Sequence, residues 1–198
     1  MPHSRPSRYG AILLAAGLSS RFLDGDKLVH PWRGRPLMMW AVETLSKAPV
    51  VARVAVIGPQ DGRKAEWLAK AEVSCVVNTR PADGMGSSLA LGARALGDEL
   101  EGVFVLLADM PLIPSGVFLD LVMALEARPE CSIAAPVYEG QRGHPVLFGA
   151  EHVESLRRLR GDEGARAILQ QARAATYFLP TVEPGVLRDF DTVEAFAG

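Results

Sequence analysis

The sequence is poor in features that mark several common classes of protein. Its two cysteines, Cys75 and Cys131, lie in or beside apolar runs. So few cysteines exclude a disulfide framework and a cysteine-rich metal site, and their positions predict two reduced thiols in the core. No apolar run approaches the roughly 18 residues of a membrane span, and residues 1–10 lack the apolar core of a signal peptide. We therefore expect a cytoplasmic protein with no membrane partner.

An excess of either charge is also missing. Lysine and arginine number 21 against 23 aspartate and glutamate, which gives a formal net charge of −2. Because there is no general basic field, nucleic acid is not an expected partner, and an anionic ligand needs a local positive site. The Walker A and GxGxxG phosphate-binding patterns do not occur either. Their absence removes the main support for an ATPase or a Rossmann oxidoreductase.

What the chain does contain is an alternation of apolar runs with helical patterns. The runs have strand length and stop at loop residues: Tyr9–Leu14, Arg53–Ile57, Val73–Val77, Val103–Ala108 and Ser132–Val137. Apolar residues at helical spacing predict helices over Arg35–Lys47, Ser87–Leu96, Ser115–Leu125, Glu151–Arg158 and Glu163–Ala172. This order predicts a layered α/β fold with a mostly parallel sheet that is buried on both faces. The length predicts a single domain over residues 1–198.

The later part of the chain departs from this order. Tyr138–Phe148 follows the pattern of a strand, a turn and a second strand, and predicts a β-hairpin inserted in the α/β order. Thr176–Leu179 and Val186–Phe190 predict short returning strands. No stretch is rich enough in glycine, proline or serine to divide the chain into two domains.

The loop after the first predicted strand combines small residues with cations. These residues are Leu14, Ala15, Ala16, Gly17, Ser20, Arg21 and Lys27. In open α/β sheets, ligands bind beyond the carboxyl ends of the strands. Small side chains let backbone N–H groups approach a phosphate, Arg21 offers a fork of donors, and Lys27 offers a mobile charge. A plain turn with solvated cations is the alternative, and the loop alone does not decide between the two.

A second constellation opens a predicted helix. Gly84, Gly86, Ser87 and Ser88 fall in the segment GMGSSL. Free N–H groups, the positive end of the helix dipole and two hydroxyls would together form an anion site. An ordinary serine N-cap with glycines that shape the turn is the alternative.

A carboxylate ends the most apolar predicted strand. Asp109 would be dry in this position, and an unpaired buried carboxylate is costly unless a cation such as Mg²⁺ bridges it to substrate phosphates. Alternation along a strand would put Asp189 and Asp191 on one face, so either is a candidate second ligand. The alternative is a turn aspartate at Asp109 and a helix cap near the C-terminus.

Two further segments mix glycine with charge, as a polar ligand site does. Gly143, His144 and Pro145 lie in the predicted hairpin, and Asp162 and Arg166 lie in the later segment GDEGAR. A hairpin turn and a helix N-terminus capped by Asp162 are the alternatives. His144 is a candidate general base, although a lone histidine is more often structural.

Taken together, these motifs resemble one family. LAAGLSSR with Lys27, GMGSSL, ADMP, RGHPVLF, GDEGAR and DFDT occur in the order found in the molybdenum cofactor cytidylyltransferases. The chain is also similar to the wider group of nucleotidyltransferases that includes the molybdenum cofactor guanylyltransferases. The resemblance spans nearly the whole chain. GMGSSL, RGHPVLF and GDEGAR resemble the cytidylyltransferase branch in particular.

The resemblance implies a three-layer, Rossmann-like fold of the nucleotide-diphospho-sugar transferase type. It also implies transfer of CMP from CTP to a molybdenum-bearing molybdopterin, with Mg²⁺ as cofactor and release of pyrophosphate. Nucleotide binding is implied for about residues 9–111 and pterin binding for about residues 112–192. A monomer is favoured, and a molybdoenzyme of the hydroxylase class is the implied client partner.

The same resemblance assigns roles to individual residues. Arg21, Lys27 and Asp109 would be catalytic, and Asp109 and Asp191 would hold the metal. The nucleotide would meet Leu14, Ala15, Ala16, Gly17, Ser20, Arg21, Lys27, Gly84, Ser87 and Ser88. The pterin substrate would meet Gly143, His144, Pro145, Asp162 and Arg166. Ala16 resembles the branch that uses cytidine, because the branch that uses guanine usually has a second glycine there.

Three other interpretations fit part of the same pattern. A related nucleotidyltransferase would use GTP in place of CTP, or a sugar phosphate in place of the pterin. A carrier without catalytic activity would hold the pterin cofactor and deliver it to a molybdoenzyme. An oxidoreductase that reuses the fold is weakened by the missing GxGxxG pattern.

Overall fold

A computed structural model describes residues 8–17, 22, 25–162, 164–192 and 195–196. The described strands are β1 Tyr9–Ala15, β2 Pro31–Trp32, β3 Arg35–Pro36, β4 Ala52–Ile57, β5 Ser74–Val77, β6 Gly102–Leu107, β7 Ile133–Tyr138, β8 Gln141–Arg142, β9 Val146–Gly149 and β10 Thr176–Pro180. The described α-helices are α1 Met38–Ser46, α2 Gly62–Lys70, α3 Met85–Ala95, α4 Gly116–Glu126, α5 Ala150–Arg157 and α6 Arg166–Gln171.

The main sheet is mixed but mainly parallel. Its order is β10-β7-β9-β6-β1-β4-β5, and β8 pairs with β7 beside this path. β1 lies between β4 and β6 and runs parallel to both. β9 is antiparallel to its neighbours β6 and β7. The carboxyl ends of β1, β4 and β6 therefore meet at one edge of the sheet, where ligands bind in open α/β sheets.

Helices cover both faces of this sheet, so the fold has three layers. Alternate residues of β1 enter two separate apolar clusters, because successive side chains of a strand point to opposite faces. Leu13 packs in the cluster that includes residues of α1, α2 and α4. Ile12 packs in the cluster that includes residues of α3, α5 and α6. The predicted α/β class and mainly parallel sheet are confirmed.

The predicted hairpin over Tyr138–Phe148 is also confirmed in its first part. β7 and β8 pair as antiparallel strands across the turn at Glu139 and Gly140, both of which have positive φ. The chain then passes through a cis peptide bond at His144–Pro145 and enters β9. β9 returns into the main sheet between β6 and β7, rather than continuing the hairpin.

One predicted helix boundary is wrong, and one helix was not predicted at all. Arg35–Pro36 is not the start of the first helix but β3, which pairs with β2 across Arg33 and Gly34. Positive φ at both turn residues gives the twist that a two-residue hairpin needs. The sequence analysis also missed α2, which follows β4 directly.

The predicted last strand, Val186–Phe190, does not form. A 3₁₀ helix covers Pro184–Val186, and irregular backbone follows it. Gly185 packs directly on the backbone carbonyl of Leu112, where even a methyl group would not fit. The segment is therefore held by close backbone approach rather than by a strand ladder, and the alternation argument for Asp189 and Asp191 does not apply.

The cysteines are free, as predicted, but they do not lie in the core. Cys75 is exposed and Cys131 is half-buried. Cys75 lies on β5, which is an edge strand, and three of the four residues of β5 are exposed. The assumption that every apolar run is buried on both faces fails at this edge. Over the described ranges, no helix is long and apolar enough to cross a membrane.

Candidate active site

An ammonium and two carboxylates meet at the carboxyl edge of β1 and β6. Lys27 Nζ lies 2.5 Å from Asp109 Oδ2 and 2.5 Å from Asp191 Oδ1. Asp109 follows β6 by two residues, and the N–H of Ala108 donates to the carbonyl of Leu14 on β1. We call these three side chains the carboxylate cluster. The cluster unites residues that are 82 and 164 positions apart in the sequence.

The C-terminal segment reaches the carboxylate cluster through a buried aromatic anchor. The backbone N–H of Phe190 donates to the Asp109 carbonyl at 3.0 Å. The Phe190 ring is 2% exposed, and its centroid lies 4.9 Å from that of Trp32. These contacts place Asp191 beside Lys27. Asp189 is exposed, and its side chain is only partly buried. That partial burial, and then the charges of Asp191 and Asp109, raise the pKa of its carboxyl group.

The electrostatics of the carboxylate cluster favour an additional cation. Burial lowers the pKa of Lys27, but its hydrogen bonds to Asp109 and Asp191 outweigh burial and raise that pKa above its ordinary value. One ammonium against two carboxylates leaves a formal charge of −1. An incoming cation would therefore be attracted to this edge of the sheet.

The residues present fit a divalent metal. Asp109 Oδ1 is buried and has no hydrogen-bond partner in the part of the chain that the structure describes. A buried carboxylate oxygen without a partner is costly, and a metal ion would satisfy it. Among the described residues no group of three or more His, Cys, Asp or Glu side chains gathers around one point. Mg²⁺ takes one or two carboxylates and completes its shell with water and substrate phosphates, so Asp109 and Asp191 could hold it.

Next to the carboxylate cluster lies a cavity of about 120 Å³ with basic and apolar walls. Arg142, His144 and Arg166 supply its polar walls, and Leu14 and Leu107 connect it to the ends of β1 and β6. Burial and then the charge of Arg166 lower the pKa of Arg142. Two guanidinium groups near each other repel, and an anion between them would relieve that repulsion. We call this site the arginine cavity.

His144 is neutral in the arginine cavity. Burial and then the charge of Arg142 lower its pKa to about 4. Its Nδ1 lies 3.4 Å from the carbonyl of Val105, so the neutral ring donates from Nδ1 and keeps Nε2 as an acceptor. Such a ring can accept a hydrogen bond from a ligand, but it is a poor carrier of protons near neutral pH.

Gly143 and Pro145 are the chain neighbours of His144, which lines this cavity. Gly143 lies against the backbone of Val186, and a side chain at this position would collide with the Val186 carbonyl. The N–H of His144 donates to the same carbonyl at 2.9 Å. Gly143 therefore has a packing role, and the contact of Gly143 and Pro145 with a substrate stays a prediction.

The GMGSSL and GDEGAR segments interlock. The N–H of Gly86 donates to the Gly161 carbonyl at 2.8 Å, and a Cβ on Gly86 would lie 2.7 Å from that oxygen. Gly84 has φ +96 and packs against Gly161 and Asp162. The N–H of Ser87 donates to the Gly84 carbonyl. The predicted helix does begin here, but these two N–H groups are already engaged rather than free.

The two serines of GMGSSL face a buried asparagine. Asn78 Nδ2 lies 2.9 Å from both Ser87 Oγ and Ser88 Oγ, and Asn78 and Ser88 are both buried. Neither serine is an N-cap, since α3 has no side-chain cap. Asp162 is not a cap of α6 either, because α6 begins at Arg166 and not at Glu163. The nucleotide-binding role of Gly84, Ser87 and Ser88 stays a prediction.

The head of the predicted nucleotide loop borders a cavity of about 510 Å³. Ala16 and Gly17 line this cavity together with residues of the β4–α2 connection and Lys64. Ala16 is buried, and Leu14 lies at the arginine cavity. Ser20 and Arg21 lie outside the described residues.

Sequence reasoning missed three polar residues of this region. Arg142 was part of a quoted motif but received no role, although it faces Arg166. Asn78 ends an apolar run, which was its only signal. Lys64 lies in the helix that was missed, and its signal is the spacing Asp61-x-x-Lys64 after a Gly-Pro turn.

A mainly parallel α/β sheet with a lysine, two carboxylates and an arginine-lined cavity at its carboxyl edge defines a class of protein suited to phosphorylated ligands. The chain belongs to the family of MobA-like NTP transferase domains, whose profile matches residues 11–176. This match confirms the wider group that the sequence motifs indicated.

The relatives of this chain have names that describe different functions. The chain is 28% identical over 195 residues to the purine catabolism protein PucB of Bacillus subtilis and covers 92% of it. It is 29% identical over 193 residues to nicotine blue oxidoreductase of Paenarthrobacter nicotinovorans, again covering 92%. The alignment with PucB covers 93% of this chain, and the alignment with nicotine blue oxidoreductase covers 92% of it. Over 57% of its length it is 32% identical to the bifunctional protein GlmU of Pelobacter propionicus, of which it spans only 25%.

Solved structures show the same fold. Rv0371c of Mycobacterium tuberculosis in complex with manganese superposes with a TM-score of 0.79 at 20% identity, covering 96% of this chain and 97% of that one. A nucleotidyl transferase from Methanothermobacter thermautotroptrophicus gives a TM-score of 0.80 at 18% identity, with coverages of 96% and 94%.

Proposed function

We propose that this chain transfers CMP from CTP to the terminal phosphate of a molybdenum-bearing pterin and releases pyrophosphate. The observation that carries the proposal is the juxtaposition of two unlike sites at one edge of the sheet. The carboxylate cluster suits a metal-bound triphosphate, and the arginine cavity suits a phosphorylated acceptor. Residues 9–111 then supply most of the nucleotide site, and residues 112–192 supply most of the acceptor site.

The walls of the arginine cavity support an acceptor that is apolar in one part and anionic in another. Met85 and Leu107 offer apolar surface for a ring, while Arg142 and Arg166 offer donors for a phosphate. His144 Nε2 is available for a ring N–H group. Gly143, Pro145 and Asp162 complete the proposed acceptor site through the backbone that they shape.

The proposed reaction needs no protein nucleophile. An acceptor phosphate oxygen attacks the α-phosphorus of CTP and forms a new P–O bond. The bond from the α-phosphorus to the bridging oxygen breaks, and pyrophosphate leaves with the electron pair. The protein's work is then positioning and charge neutralisation. Because the acceptor phosphate is already ionised near neutral pH, neutral His144 binds rather than removes a proton.

Each part of the carboxylate cluster has a separate role in this proposal. Asp109 and Asp191 would hold a divalent cation such as Mg²⁺, which when bound neutralises phosphate charge. Manganese in the Rv0371c structure supports a divalent cation here. Lys27, with Arg21 of the same loop, stabilises the charge that develops on the pyrophosphate. Leu14, Ala15, Ala16, Gly17, Ser20, Gly84, Ser87 and Ser88 surround the rest of the nucleotide.

The test is pyrophosphate release from CTP and from GTP, each with and without the molybdenum-bearing pterin. We expect release that needs CTP, a divalent cation and the pterin together. Pyrophosphate release from GTP but not from CTP would overturn the choice of CTP. Tight binding of the pterin without any pyrophosphate release would favour a carrier that delivers the cofactor to a client molybdoenzyme.

A further inference from the structure

Lys64 is the most deeply buried charged side chain among the described residues, and the proposed reaction does not use it. Its side chain is 2% exposed. Lysine is rarely buried this far unless it is paired. Lys64 lies on α2, in the wall of the cavity that Ala16 and Gly17 also line. Its partners show what this buried charge is for.

Lys64 joins three separate segments of the chain. Its Nζ lies 3.2 Å from the Ala15 carbonyl, 3.0 Å from Asp61 Oδ2 and 2.6 Å from Asp26 Oδ2. Ala15 ends β1, Asp61 precedes α2, and Asp26 directly precedes Lys27. A single ammonium therefore connects the head of the nucleotide loop with the residue that leads into the carboxylate cluster.

The number of contacts argues against direct binding of phosphate by Lys64. A lysine ammonium has three hydrogens to donate and accepts none. Three oxygen atoms from the part of the chain that the structure describes already surround Lys64 Nζ. A phosphate contact would require one of them to leave, so the geometry indicates a residue that positions others.

The partners of Lys64 are connected in turn to the backbone around Lys27 and to the backbone of the nucleotide loop. Asp26 Oδ1 accepts from the Leu28 N–H at 3.0 Å, and the Asp26 carbonyl accepts from the Val29 N–H at 3.1 Å. This turn contains Lys27. On the other side, a trans peptide is planar, so fixing the Ala15 carbonyl also fixes the direction of the Ala16 N–H.

We propose that Lys64 is a positioning residue that holds the Ala15–Gly17 loop and the Asp26–Lys27 turn in register for binding of the nucleoside triphosphate. This inference rests on the proposed function for its consequence, but the contacts that it invokes can be tested separately. Without the ammonium, Asp26 and Asp61 would face each other as like charges, and the turn before Lys27 would loosen.

The experiment compares Lys64→Met with Lys70→Met, an exposed lysine at the other end of the same helix. Hydrogen exchange at the amides of Leu28 and Val29 should become about tenfold or more faster in Lys64→Met and stay unchanged in Lys70→Met, because a charged contact to Asp26 is lost. The Kd for CTP should rise by about tenfold or more, while the KM for the acceptor should hold.

Unchanged exchange in folded Lys64→Met would overturn the proposal, and so would faster exchange with an unchanged Kd for CTP. If Lys64→Met does not fold, Asp26→Asn provides the same two measurements, and wild-type values in both would overturn the proposal. The CTP titration of the wild type tests the proposed function independently of Lys64. No binding of any nucleoside triphosphate by the wild type would overturn that function, whereas equal CTP affinity in wild type and Lys64→Met overturns only the role of Lys64.

Discussion

The carboxylate cluster and the arginine cavity are neighbours with opposite electrostatics. In the carboxylate cluster, Lys27 is held by two carboxylates, and its pKa is raised. In the arginine cavity, burial and then the charge of Arg166 lower the pKa of Arg142, and the pKa of His144 is lowered to about 4. The first site attracts a cation and the second an anion.

Under the proposed function, this difference would allow one sheet edge to hold two negatively charged substrates together. Two phosphorylated molecules repel, so a site for both needs positive charge from two independent sources. The arginine cavity provides fixed positive charge for one. The carboxylate cluster has the negative charge that a divalent cation needs, and such a cation can serve the other. The predictions below test whether this division between the sites is real.

The largest effect is expected at the carboxylate cluster. Asp109→Asn should keep the fold, since Lys27 retains Asp191, but turnover that depends on a divalent cation should fall by about 10²–10³-fold. The measurement is kcat with saturating substrates over a Mg²⁺ titration. Asp120→Asn, an exposed change on α4, is the matched control. A folded Asp109→Asn variant with normal turnover would show that Asp109 does not hold the metal.

In the arginine cavity, the lowered pKa of His144 should make the stability of the protein depend on pH. His144 has a folded-state pKa of about 4, below its ordinary 6.5. As the pH falls from 6.5 towards 4, the unfolded chain takes up a proton that the folded chain does not, so the free energy of unfolding decreases. The full loss is about 3 kcal/mol.

The check is urea unfolding between pH 4 and pH 7 for the wild type and His144→Gln. The difference between the two curves should grow as pH falls and level off near pH 4. Since burial also lowers the pKa of His152, which lies outside the cavity, His152→Gln is measured beside it to separate the contributions of the two histidines. Parallel curves for wild type and His144→Gln would contradict a neutral, buried His144.

A third prediction separates the two sites by substrate. Arg142→Gln and Arg166→Gln should each raise the KM of the pterin about ten- to a hundredfold, because each removes a charged hydrogen-bond donor for its phosphate. Arg173→Gln, an exposed arginine after α6, should leave it unchanged. CTP titrations with a divalent cation should stay close to wild type. If CTP affinity falls while pterin affinity holds, the arginine cavity belongs to the nucleotide.

The parallel part of the fold and its strand-end residues were predictable, because local patterns determine them. Apolar runs marked β1, β4 and β6, and Asp109 stood out as a carboxylate after the most apolar one. Contacts between residues that are far apart in the sequence leave no comparable pattern in it. The place of Asp191 depends on Phe190 reaching the Asp109 carbonyl. The strand argument left Asp189 and Asp191 as equal candidates, and only the family resemblance indicated Asp191. Lys64 had only the local spacing to Asp61 as a signal, because its other partners, Ala15 and Asp26, lie far away in the sequence.

The smallest expected effect concerns the choice of nucleotide base. Ala16 is buried at the head of the nucleotide loop and also lines the 510 Å³ cavity, so its methyl group limits the room there. Ala16→Gly should raise the use of GTP relative to CTP. A single methyl group shifts specificity by only about 1–3 kcal/mol, so a partial change is expected. The measurement is the ratio of kcat/KM for the two nucleotides. Ala127→Gly, at an exposed position that follows α4, is the control for the loss of a methyl group elsewhere in the chain. An unchanged ratio in Ala16→Gly would count against base selection at Ala16.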